Sequence, residues 1–291
     1  MSDWYQDCFA TFEQGLNGQA TSSVGSLRRT SIADFTAAGF PTTKDEEWRF
    51  TSLAALSGLN FGLAASETAP SDAAIAPFRY DLPCLVFING YFNASLSQLD
   101  ALPKGALVKS LSTALVEDTD LINRYIGQQA STKNEAFNAL NTAFLHDGAL
   151  IHLRPQTVLT QPVHLLFVST GQEVKTVSHP RILIVAEANS EASLVESHVG
   201  LGYETYFTNA VSEIYLGENA SIDHYRVQRE SNAAFHISAT YVREERAARF
   251  RSTSITLGGQ LTRNHVHTAL VGEGVDSTLN GLYIENDDQH V

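Results

Sequence analysis

The chain has 291 residues, 43% of them hydrophobic, and a formal net charge of −13, enough apolar material for one large core or two smaller ones. That charge excludes a nucleic-acid surface, which needs a basic footprint, and beyond this only favours solubility. Cys8 and Cys84 stand far apart without CxxC spacing, which excludes a disulfide framework and a zinc or cluster motif, while the lack of a signal-like start or membrane-length apolar run reads as a soluble, cytoplasmic chain with no membrane contact.

A first helix is predicted from Trp4 to about Gly15, with Trp4, Cys8, Phe9 and Phe12 on one side. A Gly/Ser/Thr-rich link around Asn17 to Gly25 follows, then a second helix from about Leu27 to Ala38, stopped by Gly39-Phe40-Pro41. The segment around Trp48 reads as a turn leading into a short helix near Leu53 to Leu56. An indole after such a stop is a natural anchor, so Trp48 is expected to be buried among apolar residues, with Glu46 and Arg49 pairing locally. Residues Ala64 to Pro77 read as a loop. Leu85-Val86-Phe87-Ile88, bounded by Pro83 and Asn89-Gly90, has the continuous apolar run of a strand buried on both faces. A second strand is expected at Ala106 to Lys109. Ser112 then precedes a helical stretch to about Gln129, and Glu135 to His146 forms the next helix, where Phe137, Leu140, Ala143 and Phe144 recur at helical spacing. Gly148 is read as the residue just past that helix, where left-handed backbone is cheap without a Cβ.

After Gly148 the pattern changes to β. Apolar or alternating runs occur at Val163 to Val168, Arg181 to Ala186, Ala192 to Glu196, Val211 to Leu216, Ile222 to Val227 and Ile237 to Val242, then at Ser254 to Leu257, Val266 to Val271 and Leu279 to Ile284. Small corners separate several of them: Glu187-Ala188-Asn189-Ser190, Gly217-Glu218-Asn219-Ala220, Gly258-Gly259-Gln260-Leu261 and Gly272-Glu273-Gly274-Val275. Asn189 and Asn219 are 30 residues apart, a fitting rung for a β-solenoid. The Gly258 and Gly272 corners break that spacing, so periodicity leaves an antiparallel sandwich open as well.

Candidate chemistry is sparse. In a strand, His265 and His267 project from one face about 7 Å apart, close enough to share a metal. No third ligand can be named, and with Arg263 they also read as a solvent-facing polar row. His146, His152, His164, His179, His198, His224 and His236 are scattered singly, and Asp287-Asp288-Gln289-His290 reads as a polar terminal loop. His198 lies near Gly200-Leu201-Gly202, but these glycines form no GxGxxG or P-loop, and no nucleophile is placed with the histidine. Arg243, Arg246, Arg249 and Arg251, interrupted by Glu244 and Glu245, read as a solvated mixed-charge edge, with an acidic partner surface as the alternative.

Three stretches carry a family resemblance. Pro41-Thr42-Thr43-Lys44-Asp45-Glu46-Glu47-Trp48-Arg49-Phe50-Thr51 is similar to a "PT-x-K-x-E-x-W-[RK]-[YF]-T" motif. The passage from Phe137 through Asn141, His146 and Gly148 to Leu153 resembles a hinge between a helical region and a solenoid. Leu257-Gly258-Gly259-Gln260-Leu261-Thr262-Arg263-Asn264, with Leu279-Asn280-Gly281-Leu282-Tyr283, resembles late solenoid turns. On these residues the chain resembles the SufB/SufD family of iron–sulfur cluster assembly proteins, and SufD more than SufB.

The resemblance implies a mainly β protein, a right-handed parallel β-helix preceded by a small helical N-terminal region. Residues 1–78 would be the helical region, 79–147 a mixed connecting segment with strands and two helices, and 148–291 the β-helix core. It implies a non-catalytic scaffold subunit of the SUF complex, acting with a SufB-like subunit and a SufC-like ABC-type ATPase that supplies the ATP hydrolysis. No intrinsic cofactor is expected, only transient iron or an iron–sulfur cluster in the assembled complex. The family's cysteine and histidine lie in a late C-S-H-G-like stretch, and a C-terminal helical segment engages the ATPase. The sequence is expected to stop at Val291 short of both, so no family metal residue carries over, and the chain alone is expected either to associate edge to edge, a homodimer being one form of this, or to fray at its C-terminal rungs. The alternatives are a SufB-like paralogue, whose relatives carry more cysteines and a longer lead-in, a β-solenoid carbohydrate-active enzyme, which would need clustered carboxylates, and a purely structural binding module.

Overall fold

The structure is a computed structural model that describes residues 2–16, 22–65, 69–99, 102–172, 174–285 and 289–291. Two helices open the chain, α1 (Ser2–Gln14) and α2 (Ser23–Ala38). Helix α2 starts at Ser23 rather than Leu27, because the extended Ser22 caps it, its hydroxyl accepting from the Gly25 amide at 3.1 Å. Residues 17–21 of the expected link lie outside the described residues. In α1 the buried positions are Tyr5 and Phe9. Trp4, which shares a side of the helix with Phe9 by spacing, is 39% exposed and donates its indole N–H to the Phe61 carbonyl at 2.9 Å.

A 3-10 turn at Glu46–Trp48, α3 (Ala54–Ser57) and β1 (Gly62–Leu63) follow. The stretch expected as a loop to Pro77 contains α4 (Asp72–Ile75), which Ser71 caps by accepting from the Ala74 amide. Next come the fully buried β2 (Cys84–Ile88), β3 (Tyr91–Phe92) and β4 (Ala106–Ser110). The long helix expected to Gln129 is two short ones, α5 (Leu111–Glu117) and α6 (Thr119–Tyr125). Ser110, not Ser112, caps α5, and the backbone breaks at Asp118 (φ −119, ψ 40), whose carboxylate binds Lys109 at 2.8 Å. Helix α7 (Ala136–Ala143) is buried along its whole length.

From Gly148 the chain is almost all strand: β5 (Gly148–Leu153), β6 (Val163–Ser169), β7 (Thr176–Ser178), β8 (Arg181–Ala186), β9 (Glu191–Gly200), β10 (Phe207–Leu216), β11 (Ser221–Arg229), β12 (Phe235–Glu244), β13 (Arg249–Leu257), β14 (Leu261–Leu270) and β15 (Asp276–Ile284). From β8 to β15 successive strands alternate between two sheets. In one, β5, β8, β10, β12 and β14 pair in parallel; in the other, β6, β9, β11, β13 and β15 do so. This is a β-solenoid, and it rules out the antiparallel sandwich, whose hairpins would join neighbours within a sheet. Strands from residues 79–147 extend both sheets, β2 running parallel to β6 and β4 antiparallel to β5.

The corners explain the uneven spacing of the sequence pattern. Gln156, Asn189, Asn219, Ala247 and Gly274 all have positive φ, from 55 to 72 degrees. They stack as one ladder, with amide bonds from Gln156 to Ala188 O, Asn189 to Glu218 O, Asn219 to Arg246 O and Ala247 to Glu273 O, at 2.8 to 3.0 Å. Gly258 belongs to the opposite corner, where an added Cβ would lie 2.2 Å from the Glu230 carbonyl oxygen. Mixing the two corners made a regular repeat look irregular. Gly148 also has a different role from the one expected. Helix α7 ends at Ala143, and Gly148 (φ +140) opens β5 where a Cβ would stand 1.8 Å from the Arg181 carbonyl oxygen.

Apolar side chains fill the early part of the tube: Leu85, Phe87, Leu165, Phe167, Ile182 and Ile184. The helical region covers the outer face of the first sheet, where Tyr5, Phe35, Phe137 and Phe144 pack with Phe207 and Phe235. On the same face lies a buried ion pair, Arg181 to Glu213 at 2.6 Å. Glu213 also accepts from the Gly127 and Gln129 amides, at 2.8 and 2.9 Å, which ties down the approach to α7.

Candidate functional site

The three stretches that carry the family resemblance meet at one point. Trp48 is 8% exposed, as the sequence led one to expect. One side of its indole meets the Phe137 ring, with centroids 5.2 Å apart, and the Arg263 guanidinium lies 4.3 Å from the indole centroid. Arg263 also donates to the Thr51 hydroxyl at 2.8 Å and to the Glu47 carbonyl. The 3-10 turn, α7 and β14 are thereby clasped together, each contributing one member.

His265 and His267 flank this clasp on the outer face of β14. Their rings are parallel, 6.0 Å apart between centroids, and His267 stacks on Tyr241 at 4.7 Å. The Nε2 atom of His265 accepts from Arg263 Nε at 2.6 Å. Burial, then the Arg263 charge, pushes the His265 imidazole down to about 4. Its lone pair is thus already committed to a cation. Among the described residues no three His, Cys, Asp or Glu side chains stand close enough to hold a metal ion. His290 sits nearby, its backbone bridging Leu261, while Asp287 and Asp288 lie outside the described residues.

A second constellation was not anticipated. Inside the tube, Glu196 (β9) accepts from His198 Nε2 at 2.7 Å and from His224 Nε2 at 2.9 Å, and Arg226 (β11) stands 3.5 Å from the same carboxylate. Arg226 donates onward to Ser238 and to His236 Nε2, both at 2.6 Å. His236 Nδ1 then donates to Glu230 at 2.6 Å, and Ser238 donates to Asn264 at 2.6 Å. None of Glu196, His198, His224, Arg226, Glu230 and His236 is more than 7% exposed. Burial opposes ionisation of Glu196, but Arg226 and the two imidazoles outweigh it and hold the carboxyl well below its ordinary range. Glu230 is also held below its ordinary range, burial being outweighed by His236.

The signal for this network was present in the register. Glu196 pairs with Arg226 in the same ladder that pairs Asp223 with Ser193, at the 30-residue offset that separates Asn189 from Asn219. Once one rung is recognised, an acid and a base one rung apart mark an interior contact. The other candidates are simpler. Arg243 pairs with Glu245, Arg246 with Glu218 and Arg251 with Asp223, as a mixed-charge edge would, but Glu244, read as part of that edge, is fully buried because its side chain lies on the inward face of β12. Cys8 and Cys84 are free thiols. Cys84 lies 3.6 Å from His164 Nδ1. Burial pushes that thiol up to about 11 and the imidazole down to about 4, so the pair is neutral rather than a thiolate–imidazolium. Among the described residues no helix is long and apolar enough to cross a membrane.

Comparison with known proteins gives two matches to family profiles: the SufBD protein N-terminal region over residues 1–165, and the SufBD core domain of SUF system FeS cluster assembly over residues 167–291. The chain is 32% identical over 284 residues to an iron–sulfur cluster assembly SufBD family protein of Synechocystis, covering 94% of this chain and 62% of the relative. It is 28% identical over 271 residues to the chloroplastic protein ABCI7 of Arabidopsis thaliana, covering 90% and 56%. It is also 28% identical over 244 residues to the iron–sulfur cluster assembly protein SufD of Escherichia coli, covering 84% and 55%. The chain thus spans 55 to 62% of the length of these relatives.

Proposed function

The chain belongs to the SufBD family of iron–sulfur cluster assembly proteins, and from that premise we propose that it is a SufD-like scaffold subunit. In this reading it works in the cytoplasm with a SufB-like subunit and a SufC-like ABC-type ATPase, and iron, sulfide or the nascent cluster is its cargo. The observation that carries the reading is that the N-terminal and core profiles together span the chain, with the similarity to Escherichia coli SufD extending over 84% of it. The clasp of Trp48, Phe137 and Arg263 supports it as well. It is a rigid junction between helical layer and solenoid, the kind of fixed geometry a scaffold needs to present a surface.

In this reading ATP turnover belongs to the partner. The sequence contains no phosphate-binding loop, and Glu196, His198, His224, Arg226, His236 and Glu230 are bonded to one another rather than gathered around a substrate space. Co-expression with SufB-like and SufC-like proteins, followed by affinity capture, tests the proposal. A stoichiometric complex with the SufB-like subunit, with all ATP hydrolysis traced to the SufC-like protein, is the expected result. Failure to capture the SufB-like subunit, or ATP turnover by the chain purified free of other ATPases, would overturn it.

A further inference from the structure

The groove beside the clasp carries more negative charge than its surroundings compensate. Its volume is about 530 Å³, and the aromatic rings of Phe40, Trp48 and Phe137 line it together with Asp45, Glu46, Glu47 and Glu135. Asp45 is committed to its own turn, accepting from the Thr42 amide at 2.6 Å and the Thr42 hydroxyl at 3.1 Å. Glu46, Glu47 and Glu135 form no ion pair among the described residues. Glu46 and Arg49, expected to pair, do not, and the Arg49 guanidinium lies 5.4 Å from the Phe50 centroid instead. Arg263, the guanidinium of the clasp, is already engaged by Trp48, Thr51, the Glu47 carbonyl and His265.

The groove meets a small cavity of about 20 Å³, and Trp48, Glu135 and Phe137 line both. That is room for one water molecule or one ammonium group. The cavity wall is rich in acceptors. Asn209, only 1% exposed, donates through Nδ2 to the Phe137 carbonyl at 2.9 Å and to His179 Nδ1 at 3.2 Å, while its Oδ1 is buried with no partner among the described residues. The Tyr241 hydroxyl oxygen accepts from Asn138 Nδ2 at 2.5 Å and keeps a second lone pair. With the Glu135 carboxylate these make three acceptors, the number of N–H donors on a primary ammonium. His265 and His267 also belong to the wall; the first has its Nε2 lone pair committed to Arg263, and the second lies flat on Tyr241. Burial, then the Glu47 charge, pushes the Glu135 carboxyl above its ordinary range, with His267 offsetting part of the rise. A cation placed at Glu135 would relieve both effects. Helix α7 does not need that carboxylate, because Glu135 stands at its N-cap without a side-chain capping bond.

We infer that this is a docking site for a lysine side chain of a partner polypeptide. Its ammonium would enter the small cavity on Glu135 and Asn209, its aliphatic stem would lie beside Phe40 and Phe137, and the flanking chain would follow Glu46 and Glu47 along the groove. The small cavity is too tight for a guanidinium, which favours lysine over arginine. A polypeptide is the fitting source, because a free amine held in the small cavity would make no use of the acidic groove of about 530 Å³.

The test is nitrogen-15 NMR of the Trp48 indole in the full chain, titrated at pH 7 with a capped Gly-Gly-Lys-Gly-Gly peptide. The Trp48 resonance should shift saturably, and the Glu135 carboxyl, followed by carbon-13 NMR, should titrate at lower pH in the complex. Acetylating the lysine ammonium, or exchanging the lysine for arginine, should weaken binding about tenfold, as should Glu135→Gln. Glu47→Gln should weaken it less, and this second variant keeps the test open if the first does not fold. No saturable shift, or equal affinity for the acetylated peptide, would overturn the proposal. Equal affinity for n-butylamine would also overturn it, by assigning the site to a free amine.

Discussion

The early turns of the tube are filled by apolar side chains, whereas the late turns set a charged network beside Ile222, Val242 and Phe250, and between β6 and β9 the change comes in a single ladder step. On β6 the inward side chains are Leu165 and Phe167; directly over them on β9 are Glu196 and His198. Below the step Leu85, Phe87, Ile182 and Ile184 complete an apolar filling. Above it come His224, Arg226, Glu230 and His236. The apolar half is stabilised in proportion to area, at roughly 25 cal/mol per Å², and tolerates conservative exchange among its members. The charged network, by contrast, loses stability sharply when one partner of an ion pair is removed. Sliding β11 by two residues would set Arg226 against Leu194 or His198 instead of Glu196, so the network penalises wrong register more sharply than a greasy interior would. The comparison separates two roles, bulk stability below the step and choice of register above it.

The sharpest way to break that contrast is Arg226→Met, which keeps volume and removes charge. It should cost about 3–5 kcal/mol, because two buried carboxylates lose their cation, as urea unfolding would measure. A loss below about 1 kcal/mol would mean the network is not held by that arginine. Outside the tube, Trp48→Ala should cost about 3–5 kcal/mol by opening the clasp between Phe137 and Arg263. Calorimetry should show the helical layer melting ahead of the solenoid. Simultaneous melting with little loss of stability would make the clasp ornamental.

Acid should act across both halves, with a definite sign. Burial pushes His164 and His236 down to about 4 and His179 to about 3, so their neutral forms occupy the folded state. Their contribution is complete above the ordinary imidazole value near 6.5 and is lost as pH falls toward 4. For His236 this amounts to on the order of 3 kcal/mol. Unfolding midpoints measured from pH 7 to 4 should fall steadily, and His236→Gln should flatten the fall. An unchanged profile would indicate that His236 is not buried neutral. The smallest expected effect lies on the corner ladder shared by both halves. Ala247 holds φ +55, where asparagine is better tolerated. Ala247→Asn should therefore stabilise by roughly 0.5 kcal/mol, readable as a small rise in midpoint, and a fall would show that the corner has no room for the amide.

Much of this architecture was legible before the coordinates. Continuous apolar runs located β2 and β8, alternation located most strands from β9 to β15, and Asn189 and Asn219 marked one rung. The start of α5 differs because either Ser110 or Ser112 can cap a helix there and only the backbone decides which does, while α2 starts early because Ser22 caps it ahead of the first apolar repeat. The charged interior was hidden for a stronger reason. In β11 the inward residues are Ile222, His224, Arg226 and Gln228, while Tyr225 and Val227 face outward, so a reading that sends apolar residues inward inverts half the strand. What makes the inversion affordable is a partner one rung away, which a local pattern does not contain. The same holds for Trp48, whose anchoring was foreseeable but whose guanidinium partner lies on β14.

The division of the tube is tested most directly by a double-mutant cycle on Glu196 and Arg226, with Glu196→Gln, Arg226→Met and the pair measured by urea unfolding at pH 7. If the late turns are held by mutual compensation of buried charge, the double variant should be markedly less destabilised than the two single losses summed, with a coupling of about 2 kcal/mol. Single losses that add to within about 0.5 kcal/mol would contradict the account, since they would mean that the charges occupy the interior without depending on each other.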